Sequence, residues 1–482
     1  MSNEKNKDSY GLQSQALSPV ETIAQSVANI APTGTPTLVI PLVFALSGNA
    51  TWLAYLVAMI GILFVAAAVS VFARRSASPG ALYTFAATGL GPTWGVVTGW
   101  ALFIAYIGTG SAVTSGFSNY ANVVLAHINP SWHIHSAILI SFSVLVSLFV
   151  AYRDIKLSTR LILVLEFVSV SLILFLVVAY FIINGANIDW PQLKLEGSSL
   201  GALRNGLILA TFSYVGFEGA TVLGSEARNP LKSIPRAVIL SATLIGLLFV
   251  LASYTETAAF HGEATPLNES AAPLQVVAQK AGLSFLGVLI NIGALVSFFA
   301  CVLASINAGA RILFFLAHHN IFHKTIAGTH KKHETPHVAV TISAILTWIF
   351  PFLLAIKGAG DFDIYGWVGT VATVSFILVY IAVLIAAPIY LHRRNELKFY
   401  HILSAVLGTA FLVNAVVGNL YPIPAAPYNW LPYLAFVLVG AGGLWYLFLR
   451  KRNPELPSHI GKDLERIRAS YAENAENPEV KR

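Results

Sequence analysis

A chain of 482 residues that is 56% hydrophobic and only 11% charged, with a mean hydropathy of +0.71, is too apolar for a soluble protein of this length and reads as a polytopic membrane protein. Its net charge of +7 lies in short loops between apolar stretches rather than on one face, which favours a topology signal over a nucleic-acid or acidic partner. The single cysteine, Cys301, sits inside an apolar stretch and excludes an intrachain disulfide.

Residues 1–18 are polar and lack the charged, apolar and cleavage regions of a removable signal peptide, so they are expected to form a cytoplasmic N-terminus (residues 1–19). Windows of about 19 residues predict twelve spans: 20–46, 50–73, 93–126, 135–152, 160–184, 203–226, 237–259, 283–317, 336–356, 364–391, 400–419 and 430–449. The first span contains Ala31-Pro32-Thr33-Gly34-Thr35-Pro36. Two prolines remove backbone donors and Gly34 permits a left-handed turn, so this span is expected to break into two half-helices. Broken backbone is tolerated at membrane depth only where it lines a cavity or binds a ligand.

Lysine and arginine alternate across this map. Lys5, Lys7, Arg74, Arg75, Arg153, Lys156, Arg228, Arg311, Arg393 and the tail from Arg450 fall on one side, whereas Lys194, Arg204, Lys280 and Lys357 fall on the other. Both termini are therefore expected in the cytoplasm.

The sixth span carries its own interruption, Ser213-Tyr214-Val215-Gly216-Phe217-Glu218-Gly219. Gly216 and Gly219 by themselves fit close packing against a neighbouring helix equally well. Position adds weight to a break, because the first and sixth spans occupy equivalent places in two five-span halves that enter from opposite sides. That is the pattern of inverted repeats with discontinuous helices at the midplane. Free N–H groups at half-helix N-termini suit a carboxylate, and unwound carbonyls suit an ammonium, so a zwitterionic amino acid fits both ends. Phe212, Tyr214 and Phe217 could line such a site or serve as ordinary packing.

Among the 22 acidic residues, Glu166 and Glu218 are the two read as lying well inside spans. Glu166 is six residues from Arg160, about 9 Å along a helix. A charge at such depth costs several kcal/mol unless paired or protonated, and such residues often belong to proton relays. The alternative for Glu166 is a permanently neutral, hydrogen-bonded structural group.

Six histidines lie between His318 and His337: His318, His319, His323, His330, His333 and His337. The pairs His319/His323 and His333/His337 have HxxxH spacing, which on a helix would place two imidazoles on one face and admits a membrane metalloenzyme as a rival class. Gly328 and Thr335-Pro336 interrupt this stretch and no acid-rich partner set accompanies it, so a solvated loop with no metal and no cofactor is favoured. A channel is a third class, less compatible with two opposed broken helices. The segment from Ser253 to Gly282 is expected to hold a short helix over the substrate path. A short helix is also expected near Asp463 to Tyr471, in a tail read as lacking a long apolar face.

Four places resemble the amino acid-polyamine-organocation superfamily: Pro79-Gly80-Ala81-Leu82-Tyr83 with Gly91-Pro92 and Gly99-Trp100; Gly216-Phe217-Glu218; Glu226-Ala227-Arg228-Asn229-Pro230 with Ile234-Pro235-Arg236-Ala237; and Arg311 followed by Thr335-Pro336. Their order matches across spans one to nine. The resemblance implies an all-α, twelve-helix, LeuT-like fold, with residues 20–184 and 203–391 as inverted repeats, 400–449 as two peripheral spans and 450–482 as a cytoplasmic tail. It also implies that Pro32, Thr33 and Gly34 match a Gly-Ser-Gly substrate motif. Because Pro32 lacks an N–H, Thr33, Gly34 and Thr35 become the expected anion-binding group, with Gly216 on the opposite segment.

Several relatives place a lysine at the position of Ser169, and its absence here leaves a proton on Glu166 or Glu218, or a sodium ion near Ala304-Ser305, to drive transport. The expected function is amino acid transport across the cell membrane by alternating access, proton-coupled, with polyamine transport or amino acid exchange as the alternatives.

Overall fold

The computed structural model describes residues 10, 12, 15–153, 155–185, 187–270, 272–421 and 423–476. Lys5 and Lys7 of the expected topology signal lie outside these residues, and nothing is described of the side chain of Lys156.

The architecture is helical throughout: α1 (Pro19–Ile30), α2 (Ile40–Ser47), α3 (Thr51–Ala73), α4 (Ala81–Leu90), α5 (Pro92–Ile128), α6 (Ser136–Arg153), α7 (Ile155–Ile183), α8 (Trp190–Leu193), α9 (Leu200–Phe212), α10 (Pro230–Phe260), α11 (Pro273–Lys280), α12 (Ser284–His318), α13 (His337–Ile356), α14 (Asp361–Arg393), α15 (Phe399–Leu420), α16 (Leu431–Arg452) and α17 (Leu456–Glu476). Local chemistry places many of the starts. Ser18 caps α1 through a reciprocal box with Glu21, whose N–H donates to Ser18 Oγ at 3.3 Å and whose Oε2 accepts from the Ser18 N–H at 2.7 Å. Pro92, Pro230 and Pro273 open α5, α10 and α11, where a missing N–H costs nothing.

Among the described residues, ten helical segments are long and apolar enough to cross a membrane, one of them the continuous run Pro19–Ala73 that contains both of the first two expected spans. The expected sixth span is not one helix. It is α9, a turn over residues 213–218, and a 3-10 stretch, Gly219–Leu223. Large apolar side chains such as Phe142, Phe167, Ile182, Leu244 and Val437 point outward, as on a surface that faces lipid.

Helix α5 packs along α12 and α14 at the centre. Small residues let these backbones approach: a Cβ on Gly108 would lie 2.9 Å from Ala372 Cβ. Both ends of the chain reach the same end of the bundle. The Leu17 N–H donates to the Glu226 carbonyl at 3.0 Å and the Arg228 N–H to the Leu17 carbonyl at 2.8 Å, while the Tyr10 hydroxyl donates to Asp463 Oδ2 at 3.1 Å. Asp463 lies on α17, which is longer than the expected tail helix and does carry an apolar face. Leu456, Ile460 and Leu464 are buried at i, i+4 and i+8.

Candidate functional site

Helix α1 stops at Ile30 because Ala31 takes a left-handed conformation (φ 51°), and its N–H closes a tight turn onto the Ala28 carbonyl at 3.0 Å. The break is where the sequence places it, but its left-handed residue is Ala31. Gly34 is right-handed (φ −61°), and its missing side chain serves another purpose. A Cβ on Gly34 would lie 2.7 Å from Phe298 Cε1, so the ring of Phe298 occupies the space a side chain would need. A π-helical turn, Thr35–Val39, then leads into α2. Such turns leave irregular backbone, here held by Thr37 Oγ1 donating to the Thr33 carbonyl at 2.8 Å and by the Tyr120 hydroxyl donating to the Thr37 carbonyl at 2.9 Å. Of the expected anion-binding trio, Thr35 has its N–H engaged by the Ala31 carbonyl at 3.3 Å, whereas the buried Thr33 hydroxyl has no partner among the described residues.

The second break packs directly onto the end of α1. Gly216 is left-handed (φ 89°), and a Cβ there would meet Asn29 Cβ at 2.8 Å and Asn29 O at 2.9 Å. A Cβ on Gly219 would collide with the Asn29 side-chain amide. The Ala220 N–H donates to Ser26 Oγ at 2.8 Å. Close packing and helix interruption, weighed as alternatives for these glycines, are thus one feature.

Three tyrosine-mediated bonds fix the turn: the Gly216 N–H donates to the Tyr380 hydroxyl at 3.1 Å, Tyr380 donates to Glu218 Oε2 at 2.6 Å, and Tyr106 donates to Glu218 Oε1 at 2.8 Å. Glu218 is therefore solvated by hydroxyls from α5 and α14 rather than by a cation. Of the three aromatic candidates, Phe212 lines a cavity, while Tyr214 and Phe217 are fully buried core. Tyr214 donates to the Tyr55 carbonyl at 2.9 Å and Phe217 packs on Tyr380.

Glu166 is also buried, and Ser297 Oγ on α12 lies 3.0 Å from both of its oxygens. Ser169, one turn further along α7, donates to the Gly293 carbonyl at 2.9 Å and ties α7 to α12 by hydrogen bonding alone. Two further acids enlarge the pair that the sequence singles out. Glu256, within α10, is fully buried, and Glu226 is buried against Arg311. Arg311, counted from the sequence among the cations of the cytoplasmic side, is a buried interior residue of α12. Its Nε and Nη2 reach the two Glu226 oxygens at 2.6 and 2.9 Å, and Nη1 donates to the Asn307 carbonyl at 2.9 Å. No local pattern pairs residues 85 positions apart, which is why this interaction escapes a sequence reading.

The centre is closed from both ends. Towards the chain termini, the Glu226–Arg311 pair and the Leu17 backbone join the segment after the second break to α12 and to the N-terminus. Towards the opposite end there is a cavity of about 480 Å³, lined mostly by apolar groups from α2, α9 and α14 with Asn205 and Tyr428 among the polar ones. It ends on Phe212 and Tyr365, whose rings meet edge-on at 5.7 Å, and Tyr365 in turn meets Phe298 at 6.3 Å. Phe298 is the residue that covers Gly34. Below it lie buried polar atoms without protein partners among the described residues: Gln25 Oε1, both amide atoms of Asn29, and the hydroxyls of Thr33 and Thr221. Ordered polar groups of this kind are what a polar cargo or ion would satisfy.

The histidine stretch gives no helical HxxxH face. His319 caps α12, His323 precedes a 3-10 turn, and His333 lies in a turn before α13. His319 is committed to the tail: the Tyr83 hydroxyl sits 2.6 Å from its Nδ1 and Asp463 Oδ2 lies 3.0 Å from its Nε2. Within the segment from Ser253 to Gly282 a short helix does form, α11.

Against known proteins, the sequence pattern of the amino acid permease family matches residues 21–455. The chain is 25% identical over 361 residues to a branched-chain amino acid permease, BcaP, of Bacillus subtilis (strain 168), covering 70% of this chain and 74% of that protein. It is 28% identical over 390 residues to a low-affinity putrescine importer, PlaP, of Escherichia coli (strain K12), covering 76% and 80%. It is 22% identical over 357 residues to cationic amino acid transporter 4 of Mus musculus, covering 70% and 55%. With its many long apolar helices, the chain is a membrane-embedded, multi-pass transporter, and it belongs to the amino acid permease family.

Proposed function

We propose that this protein moves amino acids across the cytoplasmic membrane as a secondary active transporter, by alternating access, with the proton as its coupling ion. The observation that carries the reading is the contact between two helix interruptions at the buried centre, where Gly216 and Gly219 lie against Asn29 beside the unwound Pro32–Gly34 stretch. Discontinuous helices that face one another supply backbone N–H and carbonyl groups to a small zwitterion, which continuous apolar helices cannot. In this reading α1 and α2 form the first of twelve spans and α9 with the following turn the sixth, with residues 20–184 and 203–391 as inverted repeats. Both termini are cytoplasmic, so the Glu226–Arg311 pair is an inner closure and the Phe212–Tyr365–Phe298 rings are an outer one.

Thr33, Gly34, Thr35 and Gly216 hold the main chain of the cargo, with Phe212 at the outer wall. Proton coupling falls to Glu166 or Glu218, because both are buried with hydroxyl partners and no cation at hydrogen-bonding distance. A second cargo class, the polyamines, is supported by the resemblance to a putrescine importer together with the buried acids near the breaks.

Proteoliposomes separate these outcomes. Uptake of an amino acid accelerated by an acidic exterior without sodium, and uncoupled from the pH gradient by Glu166→Gln or Glu218→Gln, is expected. Strict sodium dependence with no response to the gradient would reject the proton while leaving the transporter. Failure of every amino acid and diamine to saturate uptake would reject the reading itself.

A further inference from the structure

Every other buried glutamate described has a donor. Glu21 accepts from Arg160 and Ser18, Glu166 from Ser297, Glu218 from Tyr106 and Tyr380, and Glu226 from Arg311. Glu256 does not: its side chain is fully buried, and no described residue donates to either oxygen. A buried carboxylate left this way is costly as an anion, and a proton on one oxygen would still leave the other without a donor among the described residues. What fits is a donor that arrives from outside the protein.

The position of Glu256 says where that donor would be. Phe249, two turns earlier on the same face of α10, packs on Tyr55 at 5.8 Å and on Tyr214 at 5.5 Å. The Tyr55 hydroxyl lies 3.3 Å from Ser213 Oγ, and Tyr120 donates to the Thr37 carbonyl at 2.9 Å. Thr37 lies in the π-turn after the first break, and Ser213 is the first residue of the second. The Tyr120 ring also packs, tilted, at 5.8 Å from that of Phe298, which covers Gly34. The face of α10 that carries Glu256 therefore packs against both interrupted segments, the π-turn of the first and Tyr214 of the second. Among the described residues the elements beside it offer no free counter-charge near it: α1, α3 and the π-turn contain no Lys, Arg or His, Lys232 and Arg236 lie about 30 Å or more away along α10, Arg160 of α7 is engaged by Glu21 at 2.9 Å, His261 by Asp189 at 3.1 Å and Lys280 by Glu263 at 2.7 Å.

We propose that Glu256 is the receptor for a positively charged amine on the cargo, the second ammonium of a diamine or the side-chain ammonium of a basic amino acid. An ammonium has three donors and no acceptor, and a buried carboxylate with both oxygens free can accept from it. A single carboxylate with no further acid at its side is a poor divalent-metal site but a sufficient ammonium site. This inference rests on the transporter reading and narrows its substrate to cargo carrying a net positive charge.

The test measures ligand-dependent thermal stabilisation of the purified full-length protein with putrescine, L-lysine and L-leucine, for wild type, Glu256→Gln and Glu256→Asp. Wild type is expected to bind putrescine and lysine, Glu256→Gln to weaken both by about tenfold or more with leucine changed by less than about twofold, and Glu256→Asp to keep the wild-type order. Unaltered putrescine and lysine affinity in Glu256→Gln would overturn the assignment, as would an equal loss for leucine or a wild type that responds to leucine alone; each of these leaves the transporter reading intact. A wild type stabilised by none of the three would overturn this assignment too, while the transporter reading itself stands or falls with the uptake assay.

Discussion

Removing one partner of the Glu226–Arg311 pair is the most quantitative test of how the terminal end of the bundle is held. Both side chains are 1% exposed, the guanidinium makes two bonds of 2.6 and 2.9 Å to the carboxylate, and its remaining Nη1 is spent on the Asn307 carbonyl. Glu226→Gln leaves a full positive charge in the interior, and breaking a buried pair this way costs about 3–5 kcal/mol. At about 2.1 cal/mol/K of unfolding entropy per residue, a chain of this length has about 1 kcal/mol/K, so the melting temperature should fall by about 3–5 °C.

In detergent the unfolded state keeps much of its helix, which reduces the entropy and makes that shift a lower bound. Arg311→Met should do similar damage by stranding Glu226. The double variant Glu226→Met/Arg311→Met removes both charges and should regain most of the loss, because apolar replacement of a buried pair is neutral or stabilising. Differential scanning fluorimetry on these proteins together with Glu226→Met, the single variant that matches the double, closes the cycle. A Glu226→Gln protein that melts within about 1 °C of wild type, or a double variant whose loss equals the sum of the singles, would refute the buried-pair reasoning.

Gly34→Val should abolish amino acid uptake while the protein remains folded and monodisperse, because the new side chain drives into Phe298, and overpacking costs about 1–3 kcal/mol at a site the cargo must approach; normal uptake by this variant would remove the central claim about the first break. Burial holds the His319 pKa below its ordinary value, outweighing the neighbouring Asp463 carboxylate, while the Asp463 pKa stays below its own ordinary range with His319, Arg466 and Tyr10 against it. A histidine depressed in the docked state is neutral there and takes up a proton only when released, so docking of α17 should be complete above about pH 6.5 and weaken as pH falls below it. Hydrogen exchange should quicken across Leu456–Glu476 between pH 7.5 and 5.5, a window in which Asp463 does not titrate; identical exchange at the two pH values would contradict this.

The membrane class, the helical spans and the places where two of them break were legible because each rests on local chemistry. Apolar runs of sufficient length have one stable solution in lipid, and Pro32, Pro36, Gly216 and Gly219 disturb a helix whatever surrounds them. Which residue turns left-handed was not legible: Gly34 has the freedom but stays right-handed, its missing side chain making room for Phe298 on a distant helix, while Ala31 makes the turn. Side-chain facing was equally hidden, since helices apolar all round give no periodic face from which to choose an inside. That is why Tyr214 and Phe217 could not be told from the cavity-lining Phe212, why Glu256 near the end of its span was passed over, and why Arg311 was counted as a topology cation rather than as half of a buried pair. Local sequence determines where an apolar chain can cross and where it must break, whereas the partner of each buried charge depends on residues far apart in the chain and is decided only when the helices pack.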